Sequence, residues 1–131
     1  NTTGLSLKAH PVSFAREALS RAGAVPCAAL SDAAALPDGA KVRVAGLVLV
    51  RQRPGTAKEV TFMTLEDESG IANLVVWHRV YQRFRRAAAK TFVLATGVVQ
   101  RAGGVVHVIV HRLDTPELPA EPAAMQARNF H

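Results

Sequence analysis

Phe62, Asn73 and Trp77 draw attention first, because strand alternation places all three on one surface. Successive side chains of a β-strand point to opposite faces. Thr61, Met63 and Leu65 then share one face, and Val60, Phe62 and Thr64 the other. Beyond the connector Glu66-Asp67-Glu68-Ser69-Gly70, Ala72, Leu74 and Val76 form a smooth apolar set opposed by Ile71, Asn73, Val75 and Trp77. With the smooth sets turned inward, the outward surface carries two aromatic rings and a carboxamide. Trp77 ends its strand, where a core plug is the competing reading. Exposed rings of this kind suit stacking against planar bases, at about 1–3 kcal/mol per base, and an amide suits a base edge.

The cations complete that chemistry. Arg51, Arg53 and Lys58 lie on or beside the loop Gln52-Arg53-Pro54-Gly55-Thr56-Ala57-Lys58, and Arg101 flanks a second loop, Ala102-Gly103-Gly104. Cations on two loops bordering an aromatic face predict a groove for phosphates. The arginines between His78 and Lys90 read equally well as a solvated helix face. With 16 Lys+Arg against 10 Asp+Glu, the net charge is +6 and the isoelectric point lies near 10.5, which favours a polyanionic partner.

Other chemistries find no support. The Gly and Lys between Arg53 and Lys58 lack the spacing of a phosphate-binding loop. Consecutive strand-end carboxylates alternate faces, so Glu66, Asp67 and Glu68 read as a hairpin connector rather than a metal site. His107 and His111 share a strand face but have no third ligand for zinc. Cys27 is the single cysteine, which excludes an internal disulfide, and it reads as a small apolar residue. No nucleophile–base pair stands out, so neither a catalytic residue, a metal nor a cofactor is expected in this chain. No apolar run approaches the roughly 20 residues of a membrane span, and no signal pattern opens the sequence, which reads as cytoplasmic with no membrane partner.

The elements that must position these groups follow in order. A helix is expected from His10 to Ala22, stopped by Gly23, and a second helical piece from Cys27 to Ala35. Strands are expected from Lys41 to Arg51, across the central hairpin from Val60 to Trp77, from Phe92 to Arg101 and from Val105 to Arg112. Val80, Tyr81, Phe84 and Ala88 recur at helical spacing between His78 and Lys90. Gly46 breaks the first strand where a strand serving two sheets must bend. Three strands, a helix and two strands make a mainly β five-stranded OB-fold barrel, preceded by a short helical segment. Residues 1–39 read as a helical lead-in, 40–113 as the barrel, and 114–131, rich in Pro, Ala and Glu, as a weakly structured tail. OB-folds bind oligonucleotides with strands two and three and the loops after strands one and four, where the candidate residues lie.

The residues also carry a resemblance. The segment from Gly4 to Phe14, the loop from Val50 to Lys58, the hairpin from Phe62 to Trp77 and the closing Arg128-Asn129-Phe130-His131 resemble the C-terminal region of bacterial error-prone DNA polymerases, non-replicative C-family alpha subunits. The resemblance covers essentially the whole chain and implies a segment of a DNA-directed DNA polymerase acting in translesion synthesis and the response to DNA damage. It implies further that catalytic carboxylates and magnesium belong to an absent palm, and that the parent's partners are other subunits of a mutagenesis complex and the sliding clamp. This chain is then a template-holding module for single-stranded DNA, without activity of its own. Anticodon-binding domains of class II aminoacyl-tRNA synthetases are similar too, and there the positions matching Phe62 and Asn73 contact bases. A module docking accessory subunits and an independent tRNA-binding or single-stranded-RNA-binding protein are the alternatives.

Overall fold

The computed structural model describes residues 15–53 and 59–116. The start of the expected first helix, the loop from Pro54 to Lys58 and the expected tail from residue 117 onward lie outside the described residues. Five strands close into a barrel: β1 (Lys41–Gln52), β2 (Val60–Asp67), β3 (Gly70–Trp77), β4 (Phe92–Ala102) and β5 (Val105–Asp114). Their spatial order is β1-β2-β3-β5-β4, with β1 and β4 closing the ring. All neighbours pair antiparallel except β3 and β5, which run parallel. The OB-fold expected from the strand order is the fold observed.

Closure depends on β1 serving two partners. Lys41 to Leu47 pair with β4, and Leu47 to Gln52 pair with β2, with a register shift between Val48 and Val50. Gly46 sits at this transfer as expected, and a Cβ there would lie 2.5 Å from the Glu66 carbonyl oxygen. The β4–β5 hairpin turns on Gly103 and Gly104, both at positive φ, as a two-residue turn that follows strand twist requires.

The strand interiors supply the core. Val44, Met63, Leu65, Leu74, Val76, Val93, Val99, Val108 and Val110 are buried, each at the inward phase of its strand. The segment between β3 and β4 differs from the single expected helix. It consists of α2 (His78–Arg83) and α3 (Arg85–Ala88), interrupted at Phe84, whose φ of −111° and ψ of 34° leave the helical region. Val80, Tyr81, Phe84 and Ala87 still pack on the barrel core, so the apolar spacing marked the right face.

From Ala15 onward the lead-in packs against the barrel. Helix α1 (Arg16–Arg21) ends where Gly23, at φ 90°, reverses the chain. The Gly23 N–H donates to the Ser20 carbonyl and the Ala24 N–H to Leu19, a Schellman cap. Leu19, Ala15 and Ala24 pack against Ala45 and Leu94 on the outside of the barrel. The second expected helix is shorter than foreseen, a 3-10 helix at Cys27–Ser31. Asp32 stops it, because its carboxylate accepts the Ala34 and Ala35 N–H groups and folds the chain into a local turn. Cys27 and Leu30 enter the barrel core itself. Among the described residues no helix is long and apolar enough to cross a membrane.

Candidate nucleic-acid interface

Alternation along the hairpin is as the residues predict. Thr61, Met63, Leu65, Ala72, Leu74 and Val76 are buried, while Phe62, Asn73 and Trp77 are exposed. Register places these groups in rows across the surface: Val60 opposite Trp77, Phe62 opposite Val75, and Thr64 opposite Asn73. Positions two apart on a strand lie about 6.7 Å from each other. Phe62 at 37% exposure and Trp77 at 41% are large apolar side chains left accessible to solvent, so Trp77 is not a core plug.

The parallel β3–β5 pairing adds a residue that the sequence reading had weighed only as a metal ligand. His107 stands on the same face, and its ring centroid lies 6.5 Å from that of Phe62, tilted by 51°. Two unlike rings at this separation form an aromatic pair and present a broader platform than Phe62 alone. The signal was available in part, since His107 alternates with buried Val108 and Val110. Its partner strand was not, because the β3–β5 contact joins distant segments. Asn73 is held in place from across the hairpin: the Thr64 hydroxyl donates to its Oδ1 at 3.4 Å. Its NH2 group then remains as the donor end. Beyond Asn73 the face opens into a groove of about 530 Å³, bordered by Ser31 of the lead-in, Ile71 of the hairpin and Val105 past the β4–β5 turn.

The cations divide sharply. Arg51 is engaged with the backbone: its Nε donates to the Ala88 carbonyl at 2.8 Å, and its Nη2 donates to the Lys90 carbonyl. The Ala88 carbonyl ends α3 without a helical donor and that of Lys90 lies just past the helix, so a nearby guanidinium is drawn to them. Arg101 is likewise engaged. Its guanidinium donates to the Leu30 carbonyl at 2.7 Å and the Leu36 carbonyl at 2.6 Å, tying the lead-in to β4. Both guanidiniums thus spend part of their donors on backbone carbonyls. Arg53 is exposed at the end of β1, where the loop leaves the barrel, and Lys58 lies outside the described residues.

Asp67 is the residue that sequence reasoning missed. It continues the inward phase of Thr61, Met63 and Leu65, and that parity was a usable signal. Its buried carboxylate accepts the Cys27 N–H at 2.8 Å, the Arg16 guanidinium at 2.9 Å, and the Ser69 N–H and hydroxyl at 2.7 Å each. The Gly70 N–H adds a fifth bond at 3.1 Å. Burial opposes ionisation here, but the hydrogen bonds from Cys27 and Ser69 outweigh it and hold the carboxyl below its ordinary range. Glu68 is also held low, chiefly by its hydrogen bond from Arg16, and Arg16 is raised by the same bond. Burial, and then the charge of Asp67, push the Cys27 thiol well up, which makes it a poor nucleophile. Asp67 and Glu68 thus share Arg16 and clasp the hairpin to the lead-in. Among the described residues no group of three or more His, Cys, Asp and Glu is placed to hold a metal ion.

Comparison with known proteins points the same way as the geometry. The chain is 49% identical over 126 residues to an error-prone DNA polymerase of Caulobacter vibrioides, covering 95% of this chain and 11% of that protein. It is 51% identical over 120 residues to error-prone DNA polymerase 1 of Rhizobium meliloti, covering 89% of this chain and 10% of that protein. The chain therefore spans about a tenth of the length of the curated relatives it matches. Among solved structures, asparaginyl-tRNA synthetase from Pyrococcus horikoshii superposes with a TM-score of 0.55 at 29% identity, over 74% of this chain and 23% of the synthetase. The family described as OB-fold nucleic acid binding domain matches residues 42–115, from the second residue of β1 to just past β5. With sequence and barrel agreeing over that whole span, the chain belongs to the OB-fold nucleic acid binding domain family.

Proposed function

We propose that the chain holds single-stranded template DNA on the β2–β3–β5 face for an error-prone DNA polymerase engaged in translesion synthesis. The observation that carries this reading is the exposed set of Phe62, Asn73 and Trp77, with half-buried His107 beside Phe62, on the side of the barrel with which OB-folds bind oligonucleotides. Phe62 and His107 stack one base, Trp77 a second, and the Asn73 amide meets an edge. Arg53 and Lys58 draw phosphates to the open end of β1. Catalysis, magnesium, accessory subunits and the sliding clamp belong to the remainder of the polymerase, in the cytoplasm, and this chain contributes affinity without chemistry.

The test is fluorescence anisotropy of a labelled single-stranded oligonucleotide across a salt series. Affinity should fall steeply with salt, and Phe62→Ala should weaken binding by about 1 kcal/mol or more. Arg53→Ala with Lys58→Ala should flatten the slope by about 1.4, at about 0.7 per phosphate on a single strand. Binding that ignores salt and Phe62 would defeat the reading in favour of partner docking. The likeness to an asparaginyl-tRNA synthetase supports RNA as the second reading. A folded RNA that outcompetes single-stranded DNA in the same titration would establish it.

A further inference from the structure

We infer that the α2–α3 surface is a second contact for the same single strand, where Arg79, Arg83 and Arg86 take the phosphates of nucleotides that have passed Trp77. The inference rests on the template-holding reading of the β2–β3–β5 face and extends it beyond the barrel wall.

Charge is the first argument. The sequence from His78 to Lys90 contains Arg79, Arg83, Arg85, Arg86 and Lys90 and no acidic residue. A solvated helix face ordinarily interleaves opposite charges at i, i+4, whereas like charges at that spacing repel by a few tenths of a kcal/mol. Arg79 and Arg83 stand at that spacing. Ion pairs among the described residues involve Arg16, Arg21 and Arg112, and none of the helix cations. A surface that keeps repelling charges exposed and unneutralised is suited to an external polyanion.

Geometry supplies the second argument. Arg83 and Arg112 both stack on Phe84, with guanidinium carbons 5.6 Å and 5.7 Å from the ring centre. One ring from the helix break thus gathers a cation from α2 and another from β5. Stacked guanidiniums are held in place while their outer N–H groups remain free to donate. Arg112 is already bonded to Asp114 at 2.8 Å, so it steadies the cluster and Arg83 is the member that offers donors. A groove of about 360 Å³ runs between Gln82 and Ala87, lined by Arg83, Arg85 and Arg86.

Placement connects this surface to the proposed binding face. Helix α2 begins at the residue after Trp77, and a shallow hollow is shared by Glu59, Trp77, His78 and Arg79. A strand running off Trp77 meets Arg79 first and then the groove. The aromatic residues of this segment, Tyr81 and Phe84, pack against the core, so the surface has no platform for bases. Contact here is therefore with the backbone and independent of sequence.

The experiment titrates the chain with single-stranded oligonucleotides of about 4 and about 12 nucleotides, within the range of OB-fold site sizes. The parent, Phe62→Ala, an Arg79→Gln/Arg83→Gln/Arg86→Gln triple variant and the matching triple lysine variant are compared. The longer strand should lose about 2 from its salt slope in the glutamine variant, at about 0.7 for each of three phosphates. The lysine variant should keep the slope, and the short strand should not distinguish the variants. Equal slopes for parent and glutamine variant on the long strand, with binding still lost in Phe62→Ala, would overturn this inference and leave the face reading standing. A slope lost in the glutamine variant, with Phe62→Ala without effect, would keep the helical contact and overturn the face reading.

Discussion

Replacing Asp67 by Ala should destabilise the chain far more than a hairpin-connector carboxylate would suggest. The Cys27 N–H that bonds to it is buried, and Cys27 itself sits in the barrel core. Stranding that donor costs about 1–3 kcal/mol. The Ser69 and Gly70 N–H groups are only part-buried, so water replaces the carboxylate and the loss there is about 1 kcal/mol in total. Arg16 keeps Glu68 as a partner at 2.8 Å, which limits its share. The sum is about 3 kcal/mol, or a fall in Tm of roughly 10 °C for a domain of this size. Asp67→Asn is the informative companion. It preserves shape but turns an NH2 toward one of the backbone donors, and it should cost about 2 kcal/mol. Thermal unfolding by circular dichroism and urea titration read both effects. An Asp67→Ala variant within about 0.5 kcal/mol of the parent would refute the reasoning, since surface substitutions fall in that range.

Acid should probe the same clasp. Asp67 and Glu68 are held below their ordinary values of 3.8 and 4.5 in the folded chain. Their contribution is therefore present above those values and is lost as pH falls through the depressed folded ones. Urea midpoints measured downward from about pH 5 should decline, and less steeply in Asp67→Asn. Arg51→Met should cost about 1–2 kcal/mol in urea, because it releases the Ala88 and Lys90 carbonyls, and should leave the salt slope of binding unchanged. Arg53→Met should do the reverse. Gly97→Ala should destabilise by about 2 kcal/mol or more through overpacking, since the new Cβ would lie 2.1 Å from the Ile109 carbonyl oxygen. A Gly97→Ala chain with the parent's urea midpoint would contradict the closeness of β4 and β5.

The features legible in the residues are those governed by local periodicity. Alternation is strict within a hairpin, so the inward and outward sets of β2 and β3 followed directly, and stopping the inward set at Leu65 is what hid Asp67. Gly46 was legible because a bend between two partners leaves no room for a side chain. The fates of the arginines were not legible. Arg51 and Arg101 look like loop cations until the fold brings unpaired carbonyls of α3 and of the lead-in within their reach. The break at Phe84 carries neither Pro nor Gly to announce it, and the pairing that sets His107 beside Phe62 joins residues far apart in the chain. Tertiary contacts decide each of these, and a single sequence does not encode them in any short spacing.

The most direct test maps the surface that a single-stranded oligonucleotide covers, by proton–nitrogen correlation spectra of the labelled chain. The account predicts that the amides of Phe62, Thr64, Asn73, Val75, Trp77 and His107 shift first and saturate together. Those on the outward side of the β1–β4 pairing, such as Arg43 and Thr96, should stay in place. Shifts concentrated on β1 and β4, with the β2–β3–β5 face unmoved at saturation, would contradict it.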